Sequence, residues 1–285
     1  LGADGVQTSL RELDPAALKA LRERVERDGS RQEGDVRLPK TAADLDVFER
    51  EVRLTREAGA TVARAVLMGG RRYEVFKSMD EFRAFHEESR SRLALAEPVL
   101  KKHQLKLAVE NHKDLTLDEQ LALLHGIGSE WIGALVDTGN NIALLDDPYH
   151  TIERLAPLAF SVHLKDMAVQ PATDGFLLSE VPCGTGFLDL PRIIRTLAAA
   201  NPALLFNLEM ATRDPLHVPC LTDTYWVTFP DRKATHLAPA LGLVKANPIK
   251  QPPPSISGKP LPEQLAEEEQ NNRASLAWMQ KHLRA

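Results

Sequence analysis

Four residues of this 285-residue chain stand out by type and place: Glu110, Asp137, His163 and Glu209. Each follows a short apolar run. Leu107-Ala108-Val109 precedes Glu110, Gly133-Ala134-Leu135-Val136 precedes Asp137, Val162 precedes His163, and Leu205-Phe206-Asn207-Leu208 precedes Glu209. Singly, each has an ordinary reading. Glu110 can be an ion-paired strand end. Asp137 opens Thr138-Gly139-Asn140-Asn141, which is good turn chemistry. A lone inward His is commonly a hydrogen-bonded core residue. Together, at the ends of different strands, they would converge. Three converging carboxylates repel one another and need a counter-charge. With one neutral imidazole they form a hard, oxygen-rich set that suits Mn²⁺, Mg²⁺ or Co²⁺ better than thiolate-bound zinc.

Nearby residues extend the pattern. In Ser161-Val162-His163-Leu164-Lys165, period two puts Ser161, His163 and Lys165 on one face. Three inward polar groups are costly unless they line a site. His112 shares the face of Glu110 if the strand continues. Asn207 and Glu209 share a face, and the same phase runs on through Ala211 to Arg213. Glu180 either pairs with Lys165 or is solvated.

These residues need elements to hold them. Short apolar runs read as strands over 5–10, 34–38, 61–68, 105–111, 131–137, 160–165 and 204–210. Helical periodicity lies between them, after Asp14-Pro15 and over 42–58, 78–103, 117–125, 149–158 and 190–199. Asp14 caps, Pro15 suits the first helical turn, and Thr116 with Glu119 is a capping-box pair. Alternating strands and helices imply parallel βα units. The charged residues fall near strand C-termini, where a (β/α)₈ barrel carries its chemistry. No G-x-G-x-x-G or Walker motif follows any strand. Seven strands are one short of a barrel.

At these residues the chain resembles the xylose isomerase-like TIM barrel superfamily, the sugar phosphate isomerase/epimerase group. LAVENH (107–112), VDTGN (136–140), SVHLKD (161–166), GTGFLDLPRII (184–194) and NLEM (207–210) carry the resemblance, which spans residues 1 to about 214. It implies one divalent metal ion (Mn²⁺, Mg²⁺ or Co²⁺) held by Glu110, Asp137, His163 and Glu209. It implies a metal-dependent isomerase or epimerase of a keto-sugar or sugar phosphate, working through an enediolate. Glu110 and Glu209 would then exchange protons with the substrate, and Lys165 would steady the enediolate oxygen or bind a carboxylate or phosphate. His112, Asn140 and Arg213 are the expected substrate contacts. Gly184-Thr185-Gly186 resembles the family's loop before the seventh helix, read both as a loop with a helix cap at Asp189 and as a close approach to a ligand.

The motifs also depart from the sugar epimerases. Those carry an Arg a few residues after the metal His, where Asp166-Met167-Ala168-Val169 has none. They tend to have His where Asn140 stands. Lys165 in place of that Arg points to another polar group on the substrate, such as a carboxylate. The alternative function is therefore a metal-dependent lyase, a decarboxylase or dehydratase acting on a keto-sugar acid. A third reading, a sugar-binding barrel without turnover, is disfavoured by the intact ligand set. The family's endonuclease branch uses a His-rich, multi-metal site that this chain lacks.

Composition bounds the rest. A net charge of −5 argues against a nucleic-acid partner. No stretch nears the roughly 20 apolar residues of a membrane helix. Two cysteines, Cys183 and Cys220, suit a reducing compartment, and no secretory segment opens the chain, so a cytoplasmic location is expected. The expected partner is a small-molecule sugar or sugar acid, with homo-oligomerisation left open. Ten of the 19 prolines fall between Pro215 and Pro262. The chain is therefore divided into a barrel over 1–214 and a Pro-rich closing segment with a C-terminal helix over 215–285. Residues 215–262 read as irregular, with the aromatic cluster Tyr225–Phe229 either folding over the barrel mouth or forming a subunit interface or extra packing layer, and 264–283 as a helix. Leu1–Val6 resembles a first helix running into a second strand, so the first strand and helix of the barrel are expected to be absent. The ring should then gape between the strands at Gly5 and Leu204.

Overall fold

The computed structural model describes residues 2–249 and 254–283. Its strands in chain order are β1 (Gly5–Thr8), β2 (Arg31–Asp35), β3 (Val62–Ala65), β4 (Lys106–Glu110), β5 (Ile132–Asp137), β6 (Ala159–Leu164), β7 (Asp166–Ala172), β8 (Gly175–Val181), β9 (Phe206–Leu208) and β10 (Leu216–Val218). The helices are α1 (Pro15–Asp28), α2 (Leu45–Glu57), α3 (Arg72–Val75), α4 (Met79–His103), α5 (Leu117–Ile127), α6 (Pro148–Leu155), α7 (Leu190–Ala200), α8 (Asp223–Trp226), α9 (Ala234–Ala246) and α10 (Leu261–Leu283).

Seven strands form one parallel sheet in the order β1-β2-β3-β4-β5-β6-β9. It curls into a nearly closed barrel. Among the described residues β1 pairs only with β2, and β9 only with β6, so the ring is open between β1 and β9 as expected. Parallel strands covered by helices must be apolar on both faces. Accordingly Leu107, Ala108, Val109, Ala134, Leu135 and Val136 are fully buried. Phe48 and Val52 of α2, Leu93 and Leu100 of α4, and Ile193 and Leu197 of α7 supply the outer layer of the same core.

Local signals place the helices. The Asp14 side chain accepts from Ala17 N at 2.8 Å with Pro15 at the first position. Thr116 and Glu119 form their capping box, with Thr116 N donating to Glu119 Oε2 at 2.8 Å. The strand expected over 34–38 lies earlier, at 31–35. Its residues Gln32 and Glu33 are polar but buried, on opposite faces of the strand with Glu33 inside the barrel, which hid it.

A second sheet, β10-β8-β7, is antiparallel and follows β6 directly. The sequence reading has no counterpart for it, although Asp174-Gly175 is a hairpin signal. Gly175 has φ 154°, and a Cβ there would lie 2.0 Å from the Val218 carbonyl oxygen, so β10 can approach only a glycine. The irregular reading of 215–262 also needs correction. This stretch contains β10, α8 and the 13-residue α9. Pro239 inside α9 masked its helical character. Pro252 and Pro253 lie outside the described residues. The C-terminal helix is present as α10, and its Ser275 and Met279 are buried. No helix among the described residues is long and apolar enough to cross a membrane.

Candidate metal centre

Glu110 ends β4, Asp137 ends β5, His163 is the penultimate residue of β6, and Glu209 immediately follows β9. Parallel register brings them to one level: Glu110 pairs with Leu135, Asp137 with His163, and His163 with Asn207. One ligand atom from each of the four lies within 4.8 Å of all the others. His163 Nδ1 is 3.1 Å from Glu209 Oε2 and 3.8 Å from Glu110 Oε2.

Asp137 serves the turn and the site with different oxygens. Its Oδ1 accepts from Gly139 N and Asn140 N, each at 2.8 Å, as turn chemistry requires. Its Oδ2 lies 2.9 Å from Lys165 Nζ. Asn111 ties β4 to β5 beside it, accepting from Asp137 N at 2.7 Å and donating to Asp137 O at 2.9 Å.

Lys165 is the hub. Its ammonium, buried at 2% exposure, lies 2.6 Å from Glu209 Oε2 and 3.7 Å from Glu180 Oε1. Thr138 holds its backbone on both sides, accepting from Lys165 N at 3.0 Å and donating to Lys165 O at 2.8 Å. Gly139 leaves room for the Met167 side chain and the Lys165 stem, since a Cβ there would lie 2.6 Å from Met167 Sδ and 3.2 Å from Lys165 Cδ. Burial opposes the charge, but Asp137, Glu180 and Glu209 outweigh it and raise the Lys165 pKa. Burial raises Glu209 as well, but Lys165 and His163 prevail and hold it well below the usual carboxylate range. Asp137 is pushed up to about 7, first by burial and then by Glu209 and Glu110, against the pull of Lys165.

The remaining expected contacts sit around this core. Asn140 donates to Glu110 Oε1 at 3.0 Å and turns its Oδ1 toward Lys165 Nζ at 3.5 Å. His112 is partly buried, its Nδ1 has no hydrogen-bond partner among the described residues, and burial pushes its pKa down to about 4. Arg213 stands further out, 2.5 Å from Glu180 Oε1. Glu180 thus pairs with both Arg213 and Lys165. The glycine loop is tied to the fold: Gly184 N and Gly186 N each donate to Asp166 Oδ2 at 2.9 Å. Its close approach is to that carboxylate.

Several site residues escaped the sequence reading. Arg64 of β3 donates from Nε to Glu110 Oε2 at 2.7 Å and pairs with Asp35 at 3.2 Å. Its only signal was the alternation Val62-Ala63-Arg64-Ala65. Lys113, in the loop after β4, is 4% exposed and donates to Asn140 Oδ1. No carboxylate among the described residues pairs with it. Burial and the neighbouring Lys165 push its pKa down to about 8.

The donors fit a divalent ion. Three carboxylates and an imidazole nitrogen converge, and the carboxylates of Asp137 and Glu209 already gather round a cation, the Lys165 ammonium. A cavity of about 860 Å³ is lined by Glu180, Thr185, Gly186, Phe187 and Asn271 among others, and touches the cluster's surroundings through Glu180, 3.7 Å from Lys165.

A family model described as xylose isomerase-like TIM barrel matches residues 1–223. A 3-oxo-isoapionate decarboxylase of Pectobacterium atrosepticum is 29% identical over 113 residues, 39% of this chain. The match spans 41% of that relative's length. Among solved structures, a xylose isomerase-like TIM barrel protein from Mycobacterium smegmatis in complex with magnesium superposes with a TM-score of 0.60. It is 18% identical, covering 84% of this chain and 85% of that one. A D-psicose 3-epimerase in the presence of D-fructose gives a TM-score of 0.58 at 15% identity, covering 86% and 89%. These two share the fold.

Proposed function

The chain belongs to the xylose isomerase-like TIM barrel family, and on that premise we propose that it is a divalent-metal-dependent lyase that decarboxylates a keto-sugar acid through an enediolate. The observation that carries this reading is Lys113, a buried ammonium at the edge of the metal cluster with no carboxylate paired to it among the described residues. Burying an unpaired charge is costly, so a site that keeps one is built to meet an anion. Charge balance agrees. Contacts, for Lys113 by way of Asn140, join five carboxylates (Asp35, Glu110, Asp137, Glu180, Glu209) to four cations (Arg64, Lys113, Lys165, Arg213), every group counted as ionised. A divalent ion turns that deficit of one charge into a surplus of one. A substrate carboxylate cancels it, whereas a neutral keto-sugar does not. The similarity to a decarboxylase points the same way.

The isomerase or epimerase reading asks Glu110 and Glu209 to act as paired bases. Both oxygens of Glu110 are already engaged, one by Arg64 and one by Asn140. An Arg-paired carboxylate is a weak proton acceptor. Decarboxylation needs no base for its first step.

Glu110, Asp137, His163 and Glu209 would hold the ion, which when bound supplies Lewis-acid polarisation of the ketone. Lys113 receives the carboxylate. The bond between the carboxylate carbon and the carbon next to the ketone breaks. Its electron pair passes into the enediolate, and CO₂ leaves. Negative charge moves from the group held by Lys113 to one beside Lys165. Both ammonium groups touch Asn140 Oδ1, so the charge stays within one cationic pocket. Lys165, held as an ammonium by its carboxylates, steadies the enediolate until a solvent-derived proton reaches the carbon that lost CO₂. His112 and Arg213 bound the substrate space. Residues 215–285 act in this reading as a closing segment that keeps water from the enediolate.

The test is Lys113→Met. Loss of a charge-assisted contact worth about 3 kcal/mol lowers kcat/KM for a keto-sugar acid about 100-fold. The loss should appear mainly as a higher KM, with Mn²⁺ affinity retained. Unchanged kcat/KM would remove Lys113 and the acid substrate from the proposal.

A further inference from the structure

A polar layer lies one pleat below the metal cluster. Ser161 is two residues before His163 on β6, and Asn207 two before Glu209 on β9, so each pair shares a face. Glu33 of β2 reaches across the barrel to this layer. Its Oε2 accepts from Ser161 Oγ at 2.7 Å, from Asn207 Nδ2 at 2.9 Å and from Gln7 Nε2 of β1 at 2.8 Å. Glu33 is 2% exposed, and its Oε1 has no hydrogen-bond partner among the described residues. Gln7 continues the chain upward, with Oε1 at 2.7 Å from His163 Nε2. The other ring nitrogen, Nδ1, faces Glu209 and Glu110.

The polarity of this chain is determined at its far end. Glu33 Oε2 already accepts from Ser161 Oγ and Asn207 Nδ2, so toward Gln7 it stands as an acceptor. It can face only the NH₂ end of the Gln7 amide. That amide must then turn its oxygen to the imidazole. An amide oxygen only accepts, so His163 Nε2 must carry a proton, and Nδ1, 3.1 Å from Glu209 Oε2, is the nitrogen that exchanges its proton on that carboxylate for an ion.

We propose that Glu33 and Gln7 are positioning residues that hold His163 in the Nε2–H tautomer and so present Nδ1 as its metal-ligating atom. The inference rests on reading Glu110, Asp137, His163 and Glu209 as a metal site. Partners of this kind behind a metal-binding His are worth about 10–100-fold in metal affinity. Glu33→Gln removes the obligate acceptor, lets the Gln7 amide turn over and favours the wrong tautomer.

Mn²⁺ alone, titrated calorimetrically into the full chain, tests this. The unaltered protein should take up about one ion per chain, and no uptake would overturn the metal-site reading itself. Gln7→Leu and Glu33→Gln should each weaken Mn²⁺ binding about 10-fold or more. The exchange Gln7→Glu with Glu33→Gln keeps an acceptor against the imidazole and a donor behind it, and should restore most of the loss. A merely structural role would not be rescued by this exchange. Single variants that bind as tightly as the unaltered protein, or an exchange as weak as its parents, would overturn the inference. Long-range ¹H–¹⁵N correlation spectra of the unaltered, Mg²⁺-loaded protein read the tautomer directly. A proton on Nε2 of His163 is expected, and one on Nδ1 overturns the inference whether or not the variants fold.

Discussion

At the scale of single residues, the site is a set of charges that hold one another in place. Lys113 is the exception, and its titration gives the proposal a pH signature. Burial and Lys165 bring its pKa down to about 8. Below that pH it is an ammonium that attracts an anion; above it, it is a neutral amine that does not. KM for a keto-sugar acid should therefore rise as pH climbs through about 8, in initial-rate measurements at saturating metal. Lys113→Arg, which stays charged, should abolish the rise; a rise that persists in that variant belongs to another group. The four proposed ligands were legible in the sequence because each breaks an apolar run at a strand's end. Gln7, Glu33 and Arg64 were not. A polar residue on a strand ordinarily reads as a solvent-facing one, and only the closing of the sheet turns these three inward. Lys113 lies past the strand end, where period two carries no information.

At the scale of elements, segment 223–229 is built into the face that carries the site. Tyr225, 1% exposed, packs 5.1 Å from Tyr73 and 5.1 Å from Phe229, and its hydroxyl donates to Ala143 O at 2.9 Å. Arg72 lies between the rings of Phe82 and Phe229 at 3.5 and 4.2 Å and donates to Thr228 Oγ1 at 3.0 Å. Arg232 pairs with Asp146 at 2.6 Å. These contacts fasten the segment to the loops after β3 and β5. Tyr225→Ala should cost about 3–5 kcal/mol of stability and Tyr225→Phe about 1 kcal/mol, read by denaturant unfolding. A loss below about 1 kcal/mol for the alanine would show that the cap is not part of the core. The aromatic cluster itself was legible as too apolar for a free linker. The β7–β8 hairpin and α9 were not. The hairpin starts one residue after β6 ends, so the two strands merge into one polar-apolar run. Pro239 reads as a helix breaker although α9 continues through it.

At the scale of the whole molecule, the open ring makes stability uneven. β4, β5 and β6 have neighbours on both sides, while β1 and β9 are edges. The opening is bridged by side chains, Gln7 of β1 to His163 and Asn207 beside β6 to Glu33 of β2. The last helix touches both flanks, through Asn271 to Thr212 at 2.9 Å and Gln280 to Gly2 at 2.8 Å. Amide hydrogen exchange should be slowest in β4–β6 and fastest in β1 and β9. Mn²⁺ should slow exchange around β9, because Glu209 follows that strand and a ligand stabilises the state that binds it. Equal protection of all seven strands, or no change on adding metal, would contradict this picture. Parallel βα order and the number of barrel strands were legible, because alternating apolar runs and amphipathic segments determine them without reference to any partner; the position of the gap came from the resemblance of Leu1–Val6 to the family's first helix and second strand.

The central claim is that the metal-loaded site breaks a carbon–carbon bond in a keto-sugar acid. It is tested most directly by incubating the full chain with Mn²⁺ and an acid whose ketone lies β to the carboxylate, in D₂O, while following CO₂ release and deuterium incorporation. One CO₂ per product, with one deuterium on the carbon that bore the carboxylate, is the predicted result. Deuterium exchange into a keto-sugar or its acid with no CO₂ released would contradict it and return the site to isomerase or epimerase chemistry.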